Sequence, residues 1–188
     1  MNLELQKRGI YIAPNSRIQC PFTIGDYSRI NGPIYARGVG QCEIGRYCAF
    51  GEDIRIITSG HEMDLANIQL NSQRRHGFRT PVESRGGVKI GNNVWIGDLA
   101  IILYGTNIGD GAVIGAGAVV SKDIPPFSVA VGSPIRILKK RFSDNIISQL
   151  KEIQWWNWDN QKIAENRVFF ETNLSENPQL NLYDIIVP

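Results

Sequence analysis

Cysteine is scarce in this chain of 188 residues: only Cys20, Cys42 and Cys48, an odd number with no CxxC spacing. That argues against a disulfide framework and against a zinc knuckle. Histidine is scarcer still, with His61 and His76 alone, so a zinc centre built from three imidazoles lacks ligands and no metal is expected. No stretch approaches the roughly 20 apolar residues of a membrane-spanning helix. The opening MNLELQKRGIYIAPNS has neither an apolar core nor a small-residue cleavage site, so no signal peptide is expected. An excess of charge of one sign is missing too. The 20 Lys and Arg face 18 Asp and Glu, a net charge of +2, which gives no reason to expect nucleic acid or an acidic membrane as partner. A cytoplasmic protein is expected.

What the chain does contain is a period of six. Aliphatic residues recur at Ile90, Ile96, Ile102, Ile108, Ile114 and Val120, with Val94, Ala100, Thr106, Ala112 and Ala118 four positions after them. Six matches neither a helix nor a plain strand, and hexapeptide repeats mark a parallel β-helix. With three hexads per turn, residues eighteen apart stack, so Ile90 should lie over Ile108, Ile96 over Ile114 and Ile102 over Val120. The spacing also runs through Ile12, Ile18, Ile24 and Ile30. It slips in ARGVGQ (36–41), where two residues are added, and returns at Ile44, Phe50 and Ile56. Cys48 falls on the small inward slot and reads as core.

Residues 58–88 interrupt the repeat without a period of their own and hold both histidines and several arginines. Loops this long inside a compact unit are usually functional or disordered. Two prolines, Pro125 and Pro126, predict the end of the coil, because proline cannot donate to a sheet ladder. Ser143 reads as the N-cap of a helix with Ile146, Ile147, Leu150 and Ile153 on one stripe, and Asp159 as the start of a second. The expected organisation is a β-helix over 1–136 with the inserted loop 58–88, a helical segment over 137–170 and a loosely ordered tail over 171–188.

The stretch IGNNVWIGDLAIILYGTNIGDGAVIGAGAVVSKDIPPFSVAVGSPIRILKKRF resembles the hexapeptide-repeat acyltransferases, and RFSDNIISQLKEIQWWNWDNQKIAEN is similar to their xenobiotic acetyltransferase branch. The resemblance runs from His61 to about Asn166; before it only the repeat matches. It implies a mainly β fold, a left-handed parallel β-helix of hexapeptide repeats with a C-terminal helical appendage. That handedness departs from the usual right-handed crossover. The resemblance further implies a homotrimer with active sites between subunits and acetyl-coenzyme A (acetyl-CoA) as donor. His61, in SGHEMD, resembles the branch's catalytic histidine.

Chemically, a hydroxyl is too weak a nucleophile at neutral pH to attack a thioester unless a base takes its proton, and imidazole suits that task. No Ser or Cys nucleophile motif stands beside His61, so direct transfer without an acyl-enzyme is expected. A backbone N–H of a neighbouring coil is the expected partner of the oxyanion. Trp95, Asp64, Arg74 and Arg75 are the acceptor-site candidates. Trp95 stands outward on the coil, where it serves either trimer packing or a sugar ring; Trp155, Trp156 and Trp158 read as helix-to-prism packing. By resemblance to galactoside acetyltransferases, Asp98, Ala116, Ser121, Arg136 and Lys139 match coenzyme A positions, and Lys140 and Arg141 add cations to the same segment. At Asp98 a carboxylate replaces the relatives' smaller hydroxyl.

The loop is polar (Asn67, Gln69, Asn71, Gln73, Arg74, Arg75, Arg79, Arg85), with Phe78 its single aromatic. Amides and guanidiniums suit hydroxyls, carboxylates or phosphates. The expected acceptor is thus a carbohydrate, a sugar of a cell-surface polysaccharide. N-acetylation of a nucleotide-linked amino sugar, O-acetylation of an antibiotic, and a non-catalytic β-helix scaffold stay open as alternatives.

Overall fold

The computed structural model describes residues 3–188. Its body is a prism of stacked coils whose three faces are parallel sheets. The first face carries Tyr11–Ile12, Arg29–Ile30, Ala49–Phe50, Trp95–Ile96, Val113–Ile114 and Ser128–Val131 in that order. The second carries Arg17–Gln19, Ile34–Arg37, Ile54–Ile57, Ile101–Leu103 and Val119–Val120. The third carries Phe22–Ile24, Cys42–Ile44, Val88–Ile90 and Thr106–Ile108.

The stacking expected from the hexads is the observed register. Ile90 pairs with Ile108, Ile96 with Ile114 and Ile102 with Val120. Each of these side chains is buried. Burying a branched aliphatic contributes roughly 1.5–3 kcal/mol, so the inward columns provide the cohesion of the rod. The slip of two residues is equally visible: Ile18 pairs with Ala36, eighteen positions on, whereas Ile24 pairs with Ile44, twenty positions on. Ile44 next pairs with Ile90, so residues 58–87 leave the coil and return to the following rung.

Both interruptions lie on one corner, between the second and third faces. Thr58 donates its backbone N–H to Arg37 O (2.8 Å), Val39 N–H donates to Ser59 Oγ (3.1 Å), and Val88 N–H donates to Gln41 O (2.8 Å). A β-carbon on Gly40 would sit 2.3 Å from Thr58 O, so only glycine lets the two excursions touch.

Polar side chains fasten other corners. Two positions after an inward isoleucine, Asn92 Oδ1 accepts from Arg46 N–H (2.9 Å), Asp98 Oδ1 from Glu52 N–H (2.9 Å) and Asp110 Oδ1 from Asn92 N–H (2.6 Å). Each link satisfies a corner amide of an adjacent coil, where the sheet ladder breaks.

The coil passes the prolines rather than stopping at them. Ile124 still bridges to Ile108, and Ser128–Val131 still pairs in parallel with Val113–Ile114. Pro125 and Pro126 occupy the corner between, where no ladder donor is needed. The true end is a reversal: Arg136–Lys140 pairs antiparallel with Ser128–Val131. These residues therefore belong to the first face, not to the helical appendage expected from residue 137.

Behind that strand, Ser143 caps the helix Asp144–Ile153 and Asp159 caps Asn160–Glu165. Ile146, Ile147, Leu150, Trp156 and Phe169 form a second core with Phe127. Aromatic rings connect it to the prism. Tyr27 stacks on Tyr47 at 4.9 Å and Trp155 lies 5.0 Å from Tyr47. The tail is not loose. Leu182 is fully buried, its N–H donates to Gln149 Oε1 (2.6 Å), and Asn166 holds both the N–H and the C=O of Val187.

Candidate active site

His61 sits in a two-residue strand, Gly60–His61, that pairs antiparallel with Val82–Glu83. The excursion is thus a hairpin-like arm hinged on the corner, with a short helix Leu70–Arg75 at its far end. Its polar residues hold the arm together. Gln73 Nε2 donates to Asn67 O (3.1 Å), Asn67 Nδ2 to Ser72 Oγ (3.1 Å), and Gln69 accepts from Ser72 N–H. Arg79 pairs with Glu62 (2.7 Å) and Arg85 with Glu83 (2.6 Å).

Five of the eight polar residues expected to meet an acceptor are therefore engaged within the arm. Arg74 and Arg75 remain exposed, with no ion-pair partner among the described residues. Asp64 is exposed and likewise unpaired among them. His76 closes the short helix through Nδ1 and Ser72 O (2.9 Å) and stacks beside Phe78.

The His61 ring is exposed, and its Nδ1 lies 2.6 Å from Ile68 O. A carbonyl only accepts, so Nδ1 carries the proton in the neutral ring and Nε2 is left with its lone pair. The contact also fixes the ring plane. A neutral imidazole held with a free Nε2 is what a general base requires. No carboxylate takes part: the orienting group is a main-chain oxygen seven residues on.

Trp95 is 58% exposed, between Ala49 and Val113 on neighbouring rungs. It stands on the first face, and the His61 corner joins the other two faces, so one prism places the two on opposite sides. Asp98 and Ala116 stack in successive coils at the corner between the first and second faces, where Gly117 N–H donates to Asp98 O (2.8 Å). Ser121 follows Val119–Val120 at the corner that also carries the arm. Arg136, Lys139 and Lys140 share one fully exposed strand, and Lys140 is paired with Asp144.

Two of the charged residues expected on the donor side also make contacts within the fold. Arg141 turns inward, donating to Gly111 O (2.7 Å) over the Phe142 ring, and burial lowers its pKa. The Asp98 carboxylate fastens a corner, as above. Among the described residues no group of three or more His, Cys, Asp or Glu side chains is placed to hold a metal ion. No helix among them is long and apolar enough to cross a membrane.

Residues 87–122 match the family model of the bacterial transferase hexapeptide, six repeats. Over 162 residues, 74% of this chain and 77% of the relative, the sequence is 36% identical to a chloramphenicol acetyltransferase of Morganella morganii. Among solved structures, a maltose O-acetyltransferase from Clostridium difficile 630 matches with a TM-score of 0.52 and 36% identity, covering 72% of each chain. A galactoside acetyltransferase in complex with coenzyme A matches with a TM-score of 0.53 and 28% identity, over 71% of this chain. The match spans 65% of that enzyme's length, just under two thirds. The chain belongs to the hexapeptide-repeat acetyltransferases.

Proposed function

We propose that the protein moves an acetyl group from acetyl-CoA to a hydroxyl of a carbohydrate, a sugar of a cell-surface polysaccharide, in the cytoplasm. His61 Nε2 takes the hydroxyl proton as the oxygen attacks the thioester carbonyl. The tetrahedral intermediate then collapses, the carbon–sulfur bond breaks, and the coenzyme A thiolate recovers the proton from His61. The observation that carries this reading is the contact between His61 Nδ1 and Ile68 O, which leaves a lone pair on an exposed Nε2. Such a base contributes about 10²–10⁴ in rate.

Three further features support it. The maltose and galactoside acetyltransferases share the fold, which favours a sugar hydroxyl as acceptor. Ala116 leaves room for a pantetheine arm along the coil, and Arg136 and Lys139 offer charges to the donor's phosphates. Trp95 and His61 face opposite sides of one prism, which favours a homotrimer whose sites lie between protomers.

The test is thiol release from acetyl-CoA across a panel of mono- and oligosaccharides, with the wild type and His61→Ala. Activity with a sugar, its near-loss in the variant and unchanged coenzyme A affinity are expected. Full activity in His61→Ala, or an acetyl-enzyme burst without acceptor, overturns the mechanism. A second reading, acetylation of an antibiotic hydroxyl, is favoured by the 36% identity to the Morganella relative. Chloramphenicol belongs in the same panel, and turnover of it with no sugar acetylated decides for that reading.

A further inference from the structure

The second face changes character along its length. Its outward column runs Arg17, Tyr35, Arg55, Ile101, Val119. The N-terminal half is cationic and the remainder aliphatic. On the cationic half lies a groove of about 640 Å³ whose lining includes Asn15, Arg17, Tyr35, Asp53, Arg55 and Leu99. Arg17 and Arg55 are two rungs apart, about 10 Å at the usual strand spacing, with Tyr35 on the rung between them and its hydroxyl donating to Gln19 Oε1 (3.2 Å).

Neither guanidinium has an ion pair or hydrogen bond among the described residues, and both are exposed. Other arginines are engaged, Arg8 and Arg46 with Asp26, Arg79 with Glu62, Arg85 with Glu83 and Arg167 with Glu171, whereas Arg74 and Arg75 on the arm are unpaired among the described residues like these two. One carboxylate, Asp53, shares the groove, so two cations face one anion. A third free guanidinium, Arg37, ends the neighbouring strand. Its carbonyl accepts from both Thr58 N–H (2.8 Å) and Thr58 Oγ1 (3.2 Å), at the root of the His61 arm.

We propose that this groove binds the anionic groups of the acceptor, and that the acceptor is an acidic glycan lying across the second face with a hydroxyl delivered toward the His61 corner. Guanidiniums bind carboxylates bidentately, and a tyrosine on the intervening rung offers a ring face to a sugar. The proposal rests on the carbohydrate reading above and narrows it to a chain carrying carboxylates. The donor's phosphates are the competing source of anion. The candidate donor cations Arg136 and Lys139, however, lie at the far end of the prism, on the last strand of the first face. Arg17 is on the first strand of the second face, at the N-terminal end.

The experiment is calorimetric binding of α-1,4-linked trigalacturonate and of the neutral galactose trisaccharide of the same linkage, at low and high salt. The proteins are the wild type, His61→Ala and the double variant Arg17→Gln/Arg55→Gln; coenzyme A is titrated in parallel. The acidic trisaccharide is expected to bind the wild type and His61→Ala about tenfold more tightly than the neutral one, with the preference fading as salt rises. The double variant is expected to lose the preference while its affinities for the neutral sugar and for coenzyme A hold.

Equal binding of the two trisaccharides overturns the proposal, as does an undiminished preference in the double variant. So does a fall in coenzyme A affinity in its place. The two readings fail separately. Acetylation of the neutral sugar with no acidic preference removes the anion site and leaves the carbohydrate reading. An intact preference with neither sugar acetylated removes that reading and leaves the anion site.

Discussion

The backbone of Gly60 lies against the ring of Tyr104, so closely that a β-carbon at position 60 would come within 2.5 Å of Cε1. The catalytic candidate is therefore carried by a strand pressed on the prism at its neighbouring residue. Gly60→Ala is expected to lift that strand and shift the imidazole. Displacing a catalytic group by about 1 Å costs on the order of 10²-fold in turnover. Steady-state kinetics should show kcat falling while coenzyme A affinity and the thermal midpoint stay near wild type; unchanged kcat would mean that the arm does not position His61.

Trp95 and His61, on opposite sides of one prism, predict complementation between chains. The Trp95→Ala and His61→Ala variants should each be weakly active. Co-expressed, they should regain part of the wild-type rate, since some sites then combine intact residues from two protomers. Activity no higher than the sum of the separate variants would locate each site within one chain.

Asp98 distinguishes a corner fastening from a donor contact. Asp98→Ala leaves Glu52 N–H without its acceptor and is expected to destabilise the fold by about 1–3 kcal/mol, a hydrogen bond to a charged group. Asp98→Asn keeps an oxygen at the same place and should recover most of that loss. Coenzyme A affinity should be similar in both. A loss of affinity in the stable Asn variant would instead place the carboxylate in the donor site.

Burial pushes the thiol of Cys42 up to about 12 and that of Cys48 up to about 11, from an ordinary value near 9. Cys48 also donates to Gly91 O (3.1 Å). A thiol that keeps its proton when folded and releases it when unfolded makes the native state the more protonated one above pH 9. Stability from this source is complete below that pH and falls as pH climbs toward about 11–12. Urea unfolding between pH 8 and 11 should show the decline, and a Cys42→Ala/Cys48→Ala double variant should flatten it. In the native protein a thiol reagent at pH 8 should modify Cys20 alone, the one partly exposed cysteine.

The rungs were legible because a hexad carries its register in every repeat. Ile90, Ile96 and Ile102 name their own partners once three hexads are taken per turn. Even the slip at 36–41 could be counted from Ile30 and Ile44. The position of His61 on an arm leaving the coil followed from the break in the same count. Its working contact did not, because the Ile68 carbonyl is brought back by the fold of the arm and backbone oxygens leave no mark in a sequence.

Residue types that can serve two ends were harder to read. Asp98 and Arg141, expected on the donor side, each also satisfy a main-chain group, Glu52 N–H and Gly111 O. The recurrence of Asn92, Asp98 and Asp110 two places after an inward isoleucine was the available signal for the first. The tail had no period to betray it. It is held by Asn166 and Gln149, single polar residues reaching the backbone of Val187 and Leu182.

The reversed strand Arg136–Lys140 has a consequence for the molecule's life in a crowded solution. A pile of parallel rungs ends in dangling amides that invite another pile to dock and extend the column indefinitely. Running the last strand backwards and setting Arg136, Lys139 and Lys140 along it gives that rim of the first face the wrong direction and a repulsive coat. Fibre growth from this end is thereby discouraged by the same strand that is proposed above to offer charge to the donor.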